Sequence, residues 1–312
     1  ASPDMGLSHI FTPRAIRNLD LLLMAVRRQP AALQPSLLTC ITAASGQMTR
    51  MVFAVSGRGK TTGEKSSKVE VGSWVIGYWR PRLHFEVNVW NCFARRASKL
   101  VKAASSCRVL SGTKLIANPA SVTSGDSRAC LRCGDAVRLM KKLPEGSVDL
   151  VLTDPPHSDR MPYLELSEMW NCILGESPSF EDEIVISNAK ERCKGKAEYI
   201  CGLRKAFTEI SRILTPKGFC VVFYNARQKE TWEAFRYMCN NELEGGSSMR
   251  YVGCFPCRYS AGSVVQDNRK GSLKTDYAII FRKSTQAIRG RIANILADVP
   301  GWSVDLPAHL AS

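Results

Sequence analysis

The sequence predicts an α/β fold: a doubly wound, mostly parallel sheet with helices on both faces, preceded by a basic, mainly helical N-terminal region. Three observations carry this. Continuous apolar runs bounded by turn residues, such as "SVDLVLTD" (Ser147–Asp154) and "FCVVFY" (Phe219–Tyr224), read as strands buried on both faces. Helical stripes alternate with them, as right-handed βαβ units require. Up to Lys102 there are fifteen Lys/Arg and five Asp/Glu, so ten of the net charge of +15 sits in the first third.

The elements follow in order. Thr12-Pro13 reads as an N-cap followed by a first-turn proline; Ile16, Leu19, Leu23 and Val26 then recur at helical spacing until Pro30. A second helix is expected from Ser36 to about Val55. The Gly-, Ser- and Lys-rich stretch Ser56–Lys68 reads as a basic loop. "GSWVIGYWRP" reads as a short strand, and "HFEVNVWNCFARRASKLVKAA" as a basic helix. These make an N-terminal region over 1–104. Small and polar residues make 105–127 a linker.

The core is expected over 128–284, with a tail over 285–312. "ACLRCGD" reads as a short strand ending in Gly134-Asp135, and "AVRLMKKLP" as a short helix. Tyr163, Leu166, Trp170 and Ile173 form one helical stripe. Ile200, Leu203, Phe207, Ile210 and Leu214 form another. "TPKG" reads as the turn into "FCVVFY". A helix over "ETWEAFRYMCNNEL" and strands over "YVGCF" and "DYAIIFRK" complete the domain.

Composition narrows the class. With 312 residues and 45% apolar content, the chain is long enough for a sizeable core. No apolar run approaches a membrane span, so no membrane partner is expected. Twelve cysteines without a secretory segment point to free thiols in a reducing compartment, hence the cytoplasm. Two Cys-x-x-Cys pairs, Cys130/Cys133 and Cys254/Cys257, are too far apart for a compact zinc ribbon. Each lies in or beside a strand, where alternation turns neighbouring thiols to opposite sides. No metal is expected. The asymmetric positive charge suggests a polyanionic partner, nucleic acid before an acidic membrane.

"VDLVLTDPPHSDRMPYLELSEMW" (Val148–Trp170) carries the chemistry. An apolar strand ends in Asp154-Pro155-Pro156-His157, where two prolines exclude a helix and remove two backbone donors. In a doubly wound sheet, ligands bind beyond the carboxyl ends of the strands. Asp135 and Asp154 both stand at predicted strand ends and are expected to face one crevice.

"GDAVRLMKKLPEGSVDLVLTDPPHSDRMPYLELSEMW" resembles the amino-methyltransferases of nucleic acids, whose signature is Asp/Asn-Pro-Pro-aromatic (the DPPY type), and most of all the adenine-specific DNA methylases. "FTPRAIRNLDLLL", "FEVNVWNCFARR" and "RILTPKGFCVVFYN" extend the likeness over most of Phe11–Lys283. The resemblance implies a Rossmann-like methyltransferase core that binds S-adenosyl-L-methionine and methylates an exocyclic amine in DNA, N6 of adenine first and N4 of cytosine next, as restriction-modification enzymes do. Such an amine is a poor nucleophile because its lone pair is delocalised into the ring. Two acceptors that bind its two N–H groups orient it toward a methyl donor. Asp154 is the first acceptor by this likeness, the Pro155 carbonyl the second, and Pro156 stiffens the turn. The base must leave its stack to reach them. His157 stands where the family has an aromatic ring that stacks on the base, its other reading being a surface turn residue. Gly134 and Asp135 match the family's acidic position for the cofactor adenine. The alternative for Asp135 is a helix N-cap, and the two roles are compatible. Asp154 also faces the cofactor in this reading.

The sequence departs from the family in one respect. Its Asp-Pro-Phe-x-Gly-x-Gly-like cofactor turn has no counterpart except a weak one in "FAVSGRGK" (Phe53–Lys60), which follows a predicted helix rather than a strand. The turn could come from a partner subunit or from an upstream segment, since the sequence opens on Ala1 rather than Met. A chain that binds nucleic acid without catalysing is the contrasting reading, and an RNA base methyltransferase the third. Lys190, Arg192, Lys194 and Lys196, with Arg269 and Lys270 near the end, are candidates for phosphate contact, with solvated loop charge as the alternative.

Overall fold

The computed structural model describes residues 6–55, 70–72, 77–106, 115–116, 118–159, 161–226, 229–232, 234–235, 248–258 and 275–284. Its helices are α1 (Leu7–Ile10), α2 (Pro13–Arg27), α3 (Gln34–Ser45), α4 (Val89–Ser106), α5 (Ala120–Thr123), α6 (Ala136–Met140), α7 (Tyr163–Leu174) and α8 (Lys196–Ile213). Its strands are β1 (Ala54–Val55), β2 (Glu70–Val71), β3 (Leu115–Ile116), β4 (Ala129–Cys130), β5 (Val148–Thr153), β6 (Leu214–Tyr224), β7 (Ser248–Arg258) and β8 (Thr275–Ser284). The chain divides into two units, one of 1–111 with 163–178 and one of 112–162 with 179–312.

The first unit is helical. Thr12 caps α2 by accepting from the Ala15 amide, and Pro13 opens the helix. Leu19, Leu22 and Val26 turn inward and meet Cys40, Ile41 and Ala44 of α3 and Cys92 and Phe93 of α4. The α-helical run from Gln34 ends at Ser45 and continues as a 3-10 turn over Gly46–Met48, shorter than the stripe to Val55 predicts. Helix α7 belongs to this unit. Met169 and Ile173 complete its apolar cluster. The Tyr78 hydroxyl donates to the Leu166 carbonyl (2.7 Å) and accepts from the Met169 amide (3.0 Å). At the surface, Glu86 takes both nitrogens of a forked Arg14 contact (3.0 and 2.7 Å) and the Thr12 hydroxyl (2.7 Å).

The second unit is built on a four-stranded sheet of order β5-β6-β8-β7. Here the expectation of a mostly parallel sheet is corrected. Only β5–β6 is parallel; β6–β8 and β7–β8 are antiparallel, so the sheet is mixed. The final strand enters between β6 and β7 and runs antiparallel to both of them. The pairing of β5 with β6 jumps from Val148↔Leu214 to Leu150↔Phe219, so the predicted "TPKG" turn is absorbed as an irregularity within β6. β3 and β4 form a separate parallel pair, and the expected linker thus carries β3 and α5.

One sheet face is covered by α8. Tyr199, Leu203, Phe207 and Ile210 pack on Cys220, Val222, Tyr224, Ile279 and Phe281, the alternate residues of β6 and β8. Truncating a ring such as Phe207 costs about 3–5 kcal/mol at a site of this kind. Within α8, Gly202 admits close packing: a Cβ there would lie 2.9 Å from Ile184. The other face carries Leu150 (57% exposed), Leu152 (64%), Phe219 (39%) and Phe255 (49%). That is a large apolar display for a sheet face. None of the described helices is long and apolar enough to cross a membrane.

Candidate active site

The Asp154–Ser158 turn begins where β5 ends at Thr153. Its backbone is held from α8. The Tyr199 hydroxyl donates to the Pro156 carbonyl (2.5 Å), accepts from the Ser158 amide (3.2 Å) and shares a hydrogen bond with the Tyr224 hydroxyl (3.0 Å). Burial pushes the ionisation of both phenols upward, so they stay neutral hydrogen-bonding groups. The Ser158 amide also reaches the Pro156 carbonyl (3.0 Å), closing a tight reversal around His157. Ser158 is fully buried and left-handed (φ 59°), a conformation that costs of order 1–3 kcal/mol for a side-chain-bearing residue. The Ile186 amide donates to its carbonyl (3.3 Å). The turn is therefore fixed at Pro156 and at Ser158.

This arrangement leaves two acceptors unoccupied by backbone. The Asp154 side chain is 72% exposed. Among the described residues no hydrogen bond falls on the Pro155 carbonyl. Asp154 Oδ1 lies 3.0 Å from His157 Nε2, which is also 3.2 Å from the Phe223 carbonyl. The His157 side chain is 11% exposed, its ring edge-on to Tyr224 at 5.2 Å. Its Nδ1 faces Asp276 Oδ1 at 3.8 Å. An exposed carboxylate beside a carbonyl on a rigid reversal is an arrangement able to bind an amine by two N–H groups.

Asp135 takes the place predicted for it at the head of α6. Its Oδ1 accepts from the Arg138 amide (2.6 Å), as an N-cap does, after Gly134 at φ 152°. Its second oxygen remains for another donor. Asp135 follows β4, which pairs with β3 and not with the sheet of β5, so the two aspartates do not stand at the ends of strands in one sheet. Of "FAVSGRGK", Phe53 to Val55 run into β1, and Ser56–Lys60 lie outside the described residues.

Three of the predicted phosphate-contact residues engage the protein itself. Lys194 Nζ donates to the carbonyls of Glu181 (2.5 Å) and Glu183 (3.0 Å). Arg192 lies 3.4 Å over the Phe180 ring, and Lys196 pairs with Glu230 at 3.3 Å. Lys190 opens a 3-10 turn ending at Arg192. Arg269 and Lys270 lie outside the described residues. Of the cysteine pairs, Cys254 is buried in the sheet core while Cys133 is exposed. Two residues at the turn were not singled out from sequence: Tyr199, whose place on the inward stripe of α8 was the available signal, and Asp276, which nothing local distinguishes.

Fold and turn together define a mixed α/β protein with an acidic Pro-Pro corner at a sheet's edge strand. No protein-family model and no curated protein matches the chain. Among solved structures it is similar to PvuII DNA methyltransferase (cytosine-N4-specific), at 15% identity over 54% of this chain and 53% of that one, with a TM-score of 0.32. A candidate DNA modification methylase from Thermus thermophilus aligns at 16% identity over 50% and 54%, TM-score 0.25. The same protein complexed with S-adenosyl-L-methionine aligns at 18% identity over 50% and 56%, TM-score 0.26. The alignments span about half the length of each of these structures.

Proposed function

We propose that this chain carries the amine-binding corner of an S-adenosyl-L-methionine-dependent methyltransferase acting on an exocyclic base amine in DNA, N6 of adenine first and N4 of cytosine second. The observation that carries the reading is the exposed Asp154 carboxylate on a turn whose backbone is locked by Tyr199 and Ser158. Asp154 and the Pro155 carbonyl each accept one N–H of the target amine. This turns the nitrogen lone pair out of conjugation, and because both acceptors are fixed beforehand, little reorganisation accompanies the reaction. As the methyl group arrives the nitrogen becomes cationic, and the Asp154 charge stabilises it.

The residues fit the cofactor in part. Asp135 has one carboxylate oxygen left after capping α6, suited to the amino group of the cofactor adenine, and Gly134 allows close backbone approach beside it. The cofactor supplies an electrophilic methyl group on sulfur. A glycine-rich turn for its methionine portion is not found among the described residues, and we assign it to a partner subunit or an upstream segment. The apolar sheet face at Leu150, Leu152 and Phe219 supports this reading, because an exposed apolar face of that kind offers a place for a further segment or subunit to pack. DNA backbone contact falls to the basic N-terminal region, where Arg95, Lys99 and Lys102 of α4 are exposed.

The test is transfer of a labelled methyl group to DNA followed by nucleoside analysis. N6-methyladenine or N4-methylcytosine is the expected product. Cofactor-independent DNA binding with no transfer, even on adding upstream sequence, favours the second reading, a non-catalytic subunit, which the missing glycine turn motivates. Labelling of RNA but not DNA would replace the substrate class.

A further inference from the structure

We infer that His157 acts through Asp154: it is a positioning residue that orients the carboxylate by hydrogen bonding, and not a platform on which the base stacks. This rests on the amine-binding role of Asp154 proposed above.

Four contacts, from the turn itself, β6 and β8, hold the ring. Nε2 lies 3.0 Å from Asp154 Oδ1 and 3.2 Å from the Phe223 carbonyl at the end of β6. Both partners are acceptors, so Nε2 must carry the hydrogen, which it shares between them. Tyr224 packs edge-on from the buried face of β6 at 5.2 Å. Asp276, 18% exposed on β8, faces the opposite nitrogen at 3.8 Å. β8 is antiparallel to β6, with Tyr224 opposite Tyr277, and this brings Asp276 to the end of the sheet where β6 finishes. The ring is thus bolted to the carboxyl end of β6, and only 11% of its side chain remains exposed. Little surface is left for a purine or pyrimidine to cover.

The consequence for Asp154 is specific. A carboxylate at the tip of a turn and 72% exposed would otherwise rotate. The Nε2–H group engages Oδ1 and leaves Oδ2 as the oxygen presented to the incoming amine. The direction of that lone pair is then set before substrate binds, the condition under which positioning lowers a barrier. A phenyl ring in place of His157 would keep a planar face and lose the donor. A glutamine would keep a donor at similar reach and lose the ring.

Those two replacements separate the roles. His157→Phe is expected to lower kcat by roughly 10²-fold with the KM for DNA unchanged, the scale of a misplaced reacting group. His157→Gln is expected to recover most of that loss. Wild-type kcat in His157→Phe, or a raised KM for DNA in His157→Gln with kcat retained, overturns the inference in favour of stacking. A second readout needs no turnover. In the full chain labelled with ¹⁵N-histidine, long-range ¹H–¹⁵N spectra should show His157 protonated at Nε2, with that resonance shifting in Asp154→Ala. A ring protonated only at Nδ1, or one indifferent to Asp154→Ala, contradicts the inference whether or not methyl transfer occurs. A protein that passes this readout yet transfers no methyl group leaves the His157–Asp154 link standing and removes the function assigned to it.

Discussion

The phenol of Tyr199 reaches across from α8 to the carbonyl of Pro156 at 2.5 Å, a contact between residues 43 apart in sequence that joins a helix of the sheet core to the acidic turn. The same oxygen accepts from the Ser158 amide. One hydroxyl therefore adds a second, long-range partner to each of two backbone groups that otherwise have only the turn's own Ser158-to-Pro156 hydrogen bond.

Tyr199→Phe should consequently destabilise the protein by about 1–3 kcal/mol, the scale of removing hydrogen bonds from buried polar groups. The ring still fills its place in the core, so the loss isolates the hydroxyl. Denaturant unfolding monitors it. Methyl transfer should fall as well, because the turn that carries Asp154 is loosened. Unchanged stability together with unchanged transfer would show that the turn stands without α8.

Asp135 is asked to do two things, and they can be separated. Asp135→Asn keeps an oxygen able to cap α6 and so should retain stability, whereas Asp135→Ala should lose about 1 kcal/mol. Both should weaken S-adenosyl-L-methionine binding in calorimetry, since the amide's remaining group is a donor facing a donor. Binding that survives in Asp135→Asn would confine this residue to its capping role.

The surface cluster at Glu86 predicts a pH response. Hydrogen bonds from Arg14, then from Thr12, hold its carboxyl well below the usual carboxylate range, at about 2. A depressed folded-state value means the contribution to stability is complete above about 4.5 and fades as pH falls toward 2. Glu86→Gln should flatten that part of the acid limb in equilibrium unfolding. Solvent screening keeps the effect small. A variant that follows the wild-type curve between pH 5 and pH 2, scanned at about half-unit steps, would show the cluster to be energetically silent.

The thiols should fall into two kinetic classes. Burial pushes Cys220 and Cys254 up to about 12, so almost no thiolate exists at neutral pH. Cys133, Cys172, Cys193 and Cys201 are exposed. Thiol labelling followed by peptide mass mapping should modify those four readily and leave Cys220 and Cys254 untouched until the protein unfolds. Early labelling of Cys254 would mean that the sheet opens locally.

How far the sequence reveals this molecule depends on the range of the interactions. Thr12-Pro13 is a local signal, and it caps α2 as read. The stripe from Leu203 to Ile210 is periodic, and it packs as read. The Asp154 turn is legible because two prolines restrict the backbone by themselves. What lay beyond reach is long-range. Nothing near Tyr199 or Asp276 in sequence signals that the turn is their partner. The direction of β8 depends on which strands it enters between, a choice that apolar periodicity does not encode, and this is why the mixed sheet was expected to be mostly parallel. Lys194 looked like a free cation because its partners are backbone carbonyls, which have no signature in the sequence.

The central claim is that Asp154 binds the amine that receives the methyl group. The most direct measurement is single-turnover transfer of a labelled methyl from S-adenosyl-L-methionine to DNA by the wild-type chain and by Asp154→Ala, with cofactor affinity measured on both. The account predicts transfer lost by at least about 10²-fold in the variant while cofactor affinity and folding are preserved. Transfer at the wild-type rate by Asp154→Ala would contradict it.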